Sequence, residues 1–173
     1  SNSIFAIDTD PIDEFETMVN YLETNVDFIK GNMPIIMADE VKKNFKNDAY
    51  HIIDIRSDSW FEYGHIKNAV NLKSADLLTY FETKINPADF EKIVLICYSG
   101  QSAAYYTGLL RIAGYDNVYS MKWGMSSWRE DFAEGFWLKK TKSDNSDKLE
   151  TTENAKAEVG THPTIETGQT EAK

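Results

Sequence analysis

Short runs of β-branched and other apolar residues mark strands at residues 51–55 (HIIDI) and 93–97 (IVLIC), with a weaker third at 118–121 (VYSM). Stretches with helical spacing separate and flank them: 39–45, 74–84 with Ser74 as its N-cap, 102–113 ending at Gly114, and 125–132. Continuous apolar runs suit strands buried on both faces. Their alternation with helices predicts an α/β fold on a mostly parallel sheet covered on both sides. No internal repeat is evident.

The ends of the chain read differently. Ile12, Phe15, Val19, Leu22 and Val26 recur at spacings of three or four, which predicts a further helix with one apolar face. Asp10 before Pro11 supplies an N-cap followed by proline at the first helical position, and the apolar face predicts docking on the domain. Aromatic residues stop at Trp137, and residues 141–173 are mostly Thr, Glu, Lys, Ser, Asn and Gly. Such a segment buries too little apolar surface to offset the cost of ordering it. The expected organisation is an N-terminal helical extension over 1–33, an α/β domain over 34–138 and a disordered acidic polar tail over 139–173.

Composition narrows the function classes. With 42% apolar residues the chain has material for one core. A formal net charge of -10 with no basic stripe argues against nucleic acid, whose phosphates are bound by clustered Lys and Arg. The cluster Lys139, Lys140 and Lys142 is diluted by Asp144 and Asp147 and reads as a solvated linker. The longest apolar runs fall well short of the roughly 20 residues a spanning helix needs, so no membrane span is expected. Metal-ligand spacings are absent, and neither metal nor cofactor is expected. The compartment is open between cytoplasm and an exported location. Ser1 stands first and no basic region precedes Ile7, whereas a lone reactive thiol survives best where disulfides are kept reduced.

The only cysteine, Cys97, sits where chemistry is expected. In residues 93–110 (IVLICYSGQSAAYYTGLL) a buried strand stops at Cys97, turns through Tyr98, Ser99, Gly100 and Gln101, and enters a helix near Ser102. In open α/β sheets ligands bind at the carboxyl ends of strands, and the next helix points its free N–H groups at that loop. The same field stabilises a thiolate without a histidine base. Gly100 supplies the positive φ that a loop curling around the sulfur requires, and Ser99, Gln101 and Ser102 offer side-chain donors. The loop reads as an anion cradle with sulfur at its centre; read alone, it equally suits a cysteine that only fills the core.

The sequence CYSGQS resembles the active-site loop of the rhodanese family: cysteine, two residues, glycine, one residue and often arginine. Two further passages resemble that family in order and distance. In residues 53–72 (IDIRSDSWFEYGHIKNAVNL), Asp54, Arg56, Gly64, His65, Ile66 and Ala69 match its D-x-R and G-H-I signature; in residues 118–128 (VYSMKWGMSSW), Gly124 and Trp128 match its closing signature. The resemblance implies a rhodanese-like central five-stranded sheet with an added N-terminal helix. It implies sulfurtransferase activity in which Cys97 takes a sulfane sulfur from thiosulfate, a polysulfide or a persulfide. The resulting persulfide passes its sulfur to cyanide, a small thiol or a protein acceptor. Tyr98, Ser99, Gly100, Gln101, Ser102 and Ala103 would form the substrate-binding loop, with Trp123 and Arg56 at the pocket rim.

The sequence departs from the family at two places. Ser102 stands where many thiosulfate-using relatives carry arginine, so a neutral hydroxyl replaces a fixed charge for the donor's sulfonate. Trp123 stands beside Gly124 where relatives usually show glycine, which predicts a narrowed entrance. Asp54 and Arg56 are expected to pair and fix the loops at that edge, and the resemblance gives His65 a structural role. The alternative function is a non-catalytic rhodanese-like binding module. A cysteine phosphatase or arsenate reductase is disfavoured because such loops need arginine six positions after the cysteine, where this chain has Ala103.

Overall fold

A computed structural model of the protein describes residues 11–25, 33–141 and 145–171. The chain divides into two compact units, Lys30–Glu150 on the one hand and Ser1–Ile29 with Thr151–Lys173 on the other.

The larger unit is built on five parallel strands: β1 (Ile35–Ile36), β2 (Tyr50–Asp54), β3 (Val70–Asn71), β4 (Lys92–Ile96) and β5 (Val118–Met121). They lie in the order β1-β5-β4-β2-β3, all pairs parallel, with Ile53 of β2 opposite Leu95 of β4 and Leu95 opposite Ser120 of β5. The strand with the most continuous apolar run is therefore central. Successive side chains on a strand point to opposite faces, so β4 feeds two cores. Val94 and Ile96 join Ile36, Ile52, Ile66, Met121 and Phe132 in one, while Ile93, Leu95 and Cys97 join Ile53, Leu77, Phe81, Leu110 and Val118 in the other. The first face is packed by residues from α2 (Ala38–Asn44), α3 (Asp58–Tyr63) and α6 (Glu130–Phe136), the second by α4 (Leu77–Thr83) and α5 (Gln101–Ile112). The α/β fold with a parallel five-stranded sheet is as expected.

Several elements differ from the expectation. The two-residue strands β1 and β3 carry no pattern of their own; they are strands because β5 and β2 offer edges for them to pair with. Helix α3, less than two turns long, is too short for periodicity to reveal. The helix expected over 74–84 starts with a 3₁₀ turn at Ser74–Asp76, so Ser74 lies inside the turn and caps nothing. The stretch 125–132 is interrupted: a 3₁₀ segment Gly124–Ser127 precedes α6, and Arg129 between them is extended at φ -153 and ψ 139. Gly114 does terminate α5. At φ +97 it gives its N–H to Arg111 O, and Tyr115 gives its N–H to Leu110 O, which closes the helix in a Schellman motif.

In the smaller unit, α1 spans Glu14–Asn25. Its cap is Asp13, whose carboxylate accepts the Glu16 N–H at 3.0 Å; Asp10 and Val26 lie outside the described residues. Glu14 accepts from the backbone N–H groups of Thr167 and Gly168 and from the Thr167 hydroxyl, which together hold its carboxyl below the usual carboxylate range. The Phe15 ring stacks on His162 at 4.8 Å. The described residues from 151 to 171 form neither helix nor strand and are almost wholly exposed.

Candidate active site

Cys97 follows the last residue of β4, on the sheet face covered by α4 and α5. The chain then turns back over its own sulfur. Gly100 adopts φ +95 and serves as the N-cap residue of α5. Its N–H points at Cys97 Sγ from 3.1 Å, and the Ala103 N–H does so from 3.4 Å. Two backbone donors and the positive end of a twelve-residue helix therefore converge on one sulfur, an arrangement that favours negative charge there. Cys97 is 3% exposed and recessed beneath the loop.

The loop is held from the β5 side. Met125 N donates to Cys97 O at 2.9 Å and Ser126 N to Tyr98 O at 3.1 Å, so the segment after β5 clamps the backbone that carries the sulfur. Gly124 makes this approach possible. At φ +54, a Cβ on it would sit 2.4 Å from Cys97 O and 2.9 Å from both Gly100 N and Tyr98 C. Trp123 precedes it in the left-handed region, at φ +64.

The expected site residues divide between cradle, support and cleft. Gly100 and Ala103 face the sulfur with their backbone amides. The Tyr98 side chain turns away to brace the loop after β2: its hydroxyl accepts the Ser57 N–H at 3.1 Å and donates to Ser57 Oγ, and its ring packs against Trp60 and Phe136. Ser99, Gln101 and Trp123 come together as walls of a cleft of about 680 Å³, completed by Ser126, Ser127 and Trp137. Ser102 is exposed on the first turn of α5.

Arg56 lines a pocket other than the cleft, together with Ser57, Asp58, Lys73 and Ser74, while its guanidinium turns inward. Its side chain is buried, with Nε 3.0 Å and Nη2 2.7 Å from the Asp54 carboxylate, Nη2 also 2.7 Å from Gly64 O, and the guanidinium over the Phe132 ring. A buried guanidinium is tolerable only when paired, and Asp54 sits two residues away on the same strand end to do so. Asn71 completes this edge by donating to Asp54 O and Arg56 O. His65 binds Phe61 O through Nδ1 at 2.7 Å and stacks on the Phe61 ring, a local brace as expected.

Ser57, Trp137 and the hydroxyls of Ser126 and Ser127 escaped the sequence reading. Trp137 is an isolated tryptophan some forty residues from Cys97, and no local spacing ties the two together. Among the described residues there is no cluster of metal-ligating side chains, and no helix is long and apolar enough to cross a membrane.

Residues 37–131 match the family described as the rhodanese-like domain. The chain is 38% identical over 80 residues to the thiosulfate sulfurtransferase GlpE of Shewanella oneidensis, covering 46% of this chain and 75% of the relative. To the thiosulfate sulfurtransferase GlpE of Haemophilus influenzae it is 36% identical over 78 residues, 44% of this chain and 70% of that one. The solved structure of reduced Bacillus anthracis CoADR-RHD superposes with a TM-score of 0.51 at 21% identity, covering 68% of this chain and 20% of that chain, a likeness of fold.

Proposed function

The chain belongs to the rhodanese-like domain family, and from that membership we propose that it is a sulfurtransferase whose sulfur carrier is Cys97. The observation that carries the reading is the pair of backbone donors, Gly100 N and Ala103 N, aimed at Cys97 Sγ. The named activity of the two GlpE relatives supports it.

The proposed chemistry runs in two halves. The Cys97 thiolate attacks the outer sulfur of a donor, forming a new S–S bond as the donor's own bond to that sulfur breaks. The donor's remainder leaves with the electron pair. Cys97 then bears a persulfide whose outer sulfur carries the charge, and the loop amides are placed to hold it. In the second half an acceptor thiolate or cyanide attacks that outer sulfur, and Cys97 leaves as the thiolate. Both halves need negative charge stabilised at one point, which fixed N–H dipoles around a buried sulfur do well. Phosphoryl transfer finds no comparable support: the side chain six positions after the cysteine is that of Ala103, and no charged group lines the cleft.

Intact mass of the purified protein before and after incubation with thiosulfate or inorganic polysulfide, followed by desalting, tests the reading. The expected result is a gain of one sulfur atom that is absent from Cys97→Ser and released by cyanide as thiocyanate. Folded, reduced protein that gains no sulfur from any donor would overturn it and favour a binding role.

A further inference from the structure

We infer that the cleft beside the Cys97 loop is built for a sulfur donor that carries an apolar organic group, R–S–SH in type, and that Trp123 and Trp137 are the specificity-determining walls that grip that group. The inference rests on the sulfur-transfer reading and adds the class of substrate.

Three observations point the same way. The cleft, at about 680 Å³, is far larger than a four-heavy-atom inorganic anion attached to a sulfur would occupy, and it lies within the range of about 300–1,000 Å³ of sites that enclose organic ligands. Its two largest walls are indoles left open to solvent, Trp123 at 59% and Trp137 at 46% exposure. Large aromatic faces at a pocket mouth offer area for an apolar body at little entropic cost. The remaining lining residues, Ser99, Gln101, Ser126 and Ser127, carry no charge.

The hydroxyls of Ser126 and Ser127 are poor anion binders here. Ser126 Oγ spends its proton on Trp123 O, and Ser127 Oγ has a single proton to share between Lys122 O at 2.9 Å and Gly124 O at 2.8 Å. What they still present is lone pairs, which repel a sulfonate and accept from a thiol or amide N–H. Arg56, in the loop after β2, gives Nε and Nη2 to Asp54 and Gly64 O; its Nη1 is enclosed without a hydrogen-bond partner, and the residue does not line the cleft. Lys122 Nζ lies 5.7 Å from the Trp123 ring centroid and polarises that wall without lining the cleft. A doubly charged donor such as thiosulfate therefore meets no cation in the cleft, only the neutral side chains of Ser99 and Gln101 beside the committed hydroxyls of Ser126 and Ser127. An organic persulfide meets two aromatic faces.

The half-reaction balances without further reagents. Cys–S⁻ attacks the outer sulfur of R–S–SH, the Cys97 S–S bond forms, the donor S–S bond breaks, and the proton passes to the departing R–S⁻. The products are Cys–S–S⁻ and R–SH. Dispersion and stacking on R would lower the barrier only if they position the outer sulfur against Cys97 in the transition state, so the effect belongs in the loading rate.

The test compares thiosulfate with p-toluenethiosulfonate, in which an aryl group replaces one sulfonate oxygen and the leaving group is a sulfinate. Loading of Cys97 is followed by intact mass for the parent, Trp123→Ala, Trp137→Ala and the corresponding Phe variants. The expected result is that the parent loads faster from the aryl donor. Each Ala variant lowers the ratio of aryl to thiosulfate rates about tenfold, and each Phe variant restores most of it. A ratio unchanged by the Ala variants overturns the inference while sulfur transfer stands. A rise in aryl loading on Trp123→Ala also overturns it, because the indole would then obstruct rather than grip. If neither donor loads the parent, sulfur transfer fails and the inference fails with it.

Discussion

Adding one methyl group at Gly124 should cost more stability than its size suggests, and it should silence the site as well. A Cβ there would lie 2.4 Å from Cys97 O and 2.9 Å from Gly100 N, both main-chain atoms of the cradle. A flexible side chain would swing aside, but a backbone clamped by Met125 N on Cys97 O and Ser126 N on Tyr98 O has nowhere to move without losing those bonds. Holding an L-residue at φ +54 costs roughly 1–2 kcal/mol. Forcing the overlap apart costs roughly 1–3 kcal/mol more, as overpacking generally does. The expected loss for Gly124→Ala is therefore about 2–5 kcal/mol, read from urea denaturation midpoints at unchanged m-value. Sulfur loading of the folded fraction should fall as well, because the amides that face Sγ move with the loop. Gly108→Ala is the matched control. Gly108 is inside α5, has negative φ and meets nothing within 4 Å of an added Cβ, so this change should stabilise by about 0.5–1 kcal/mol. If Gly124→Ala unfolds within about 0.5 kcal/mol of the parent and loads sulfur at the parental rate, the close approach is not a constraint and the reasoning fails.

Two further outcomes are expected. Asp54→Asn leaves the Arg56 guanidinium buried without its counter-charge and should destabilise by about 3–5 kcal/mol in urea titration, whereas a cation serving ligands at a rim would change loading kinetics at unchanged stability. His51 is half buried between Tyr80 and Phe90, with Nε2 3.0 Å from the Tyr80 hydroxyl, and burial lowers its pKa below the usual histidine value. Its folded state thus resists protonation more than the unfolded chain does, so its stabilising contribution is full above the ordinary histidine value and drains away as pH falls through that value toward the lowered one. Thermal melts between pH 8 and pH 5 should show this loss, and His51→Gln should flatten it; an equal pH dependence in the variant would refute the assignment.

What the amino-acid order by itself determined is the part governed by local physics. Short apolar runs with β-branched residues made β4 and β2 legible, and β5 more weakly, because strands buried on both faces need few polar positions. Gly114 was legible as a helix stop because a left-handed residue after a helix is nearly always glycine. The cradle was legible because its donors, Gly100 N and Ala103 N, lie within six residues of Cys97 and follow from a strand, a glycine and a helix start.

Tertiary structure decided whatever depends on a partner distant in the chain. β1 and β3 exist through pairing to β5 and β2, and two residues hold no periodicity to read. The inward turn of the Arg56 guanidinium was not legible because burial is a property of its surroundings, here the Asp54 carboxylate, Gly64 O and the Phe132 ring. The purpose of Gly124 became visible only when its distance to Cys97 O was known. The aromatic cleft was the least legible feature of all. Trp137 is brought alongside Trp123, Ser99 and Gln101 only after α6 has packed on the sheet face opposite that of α5, and chain folding on that scale leaves no signature in local spacing.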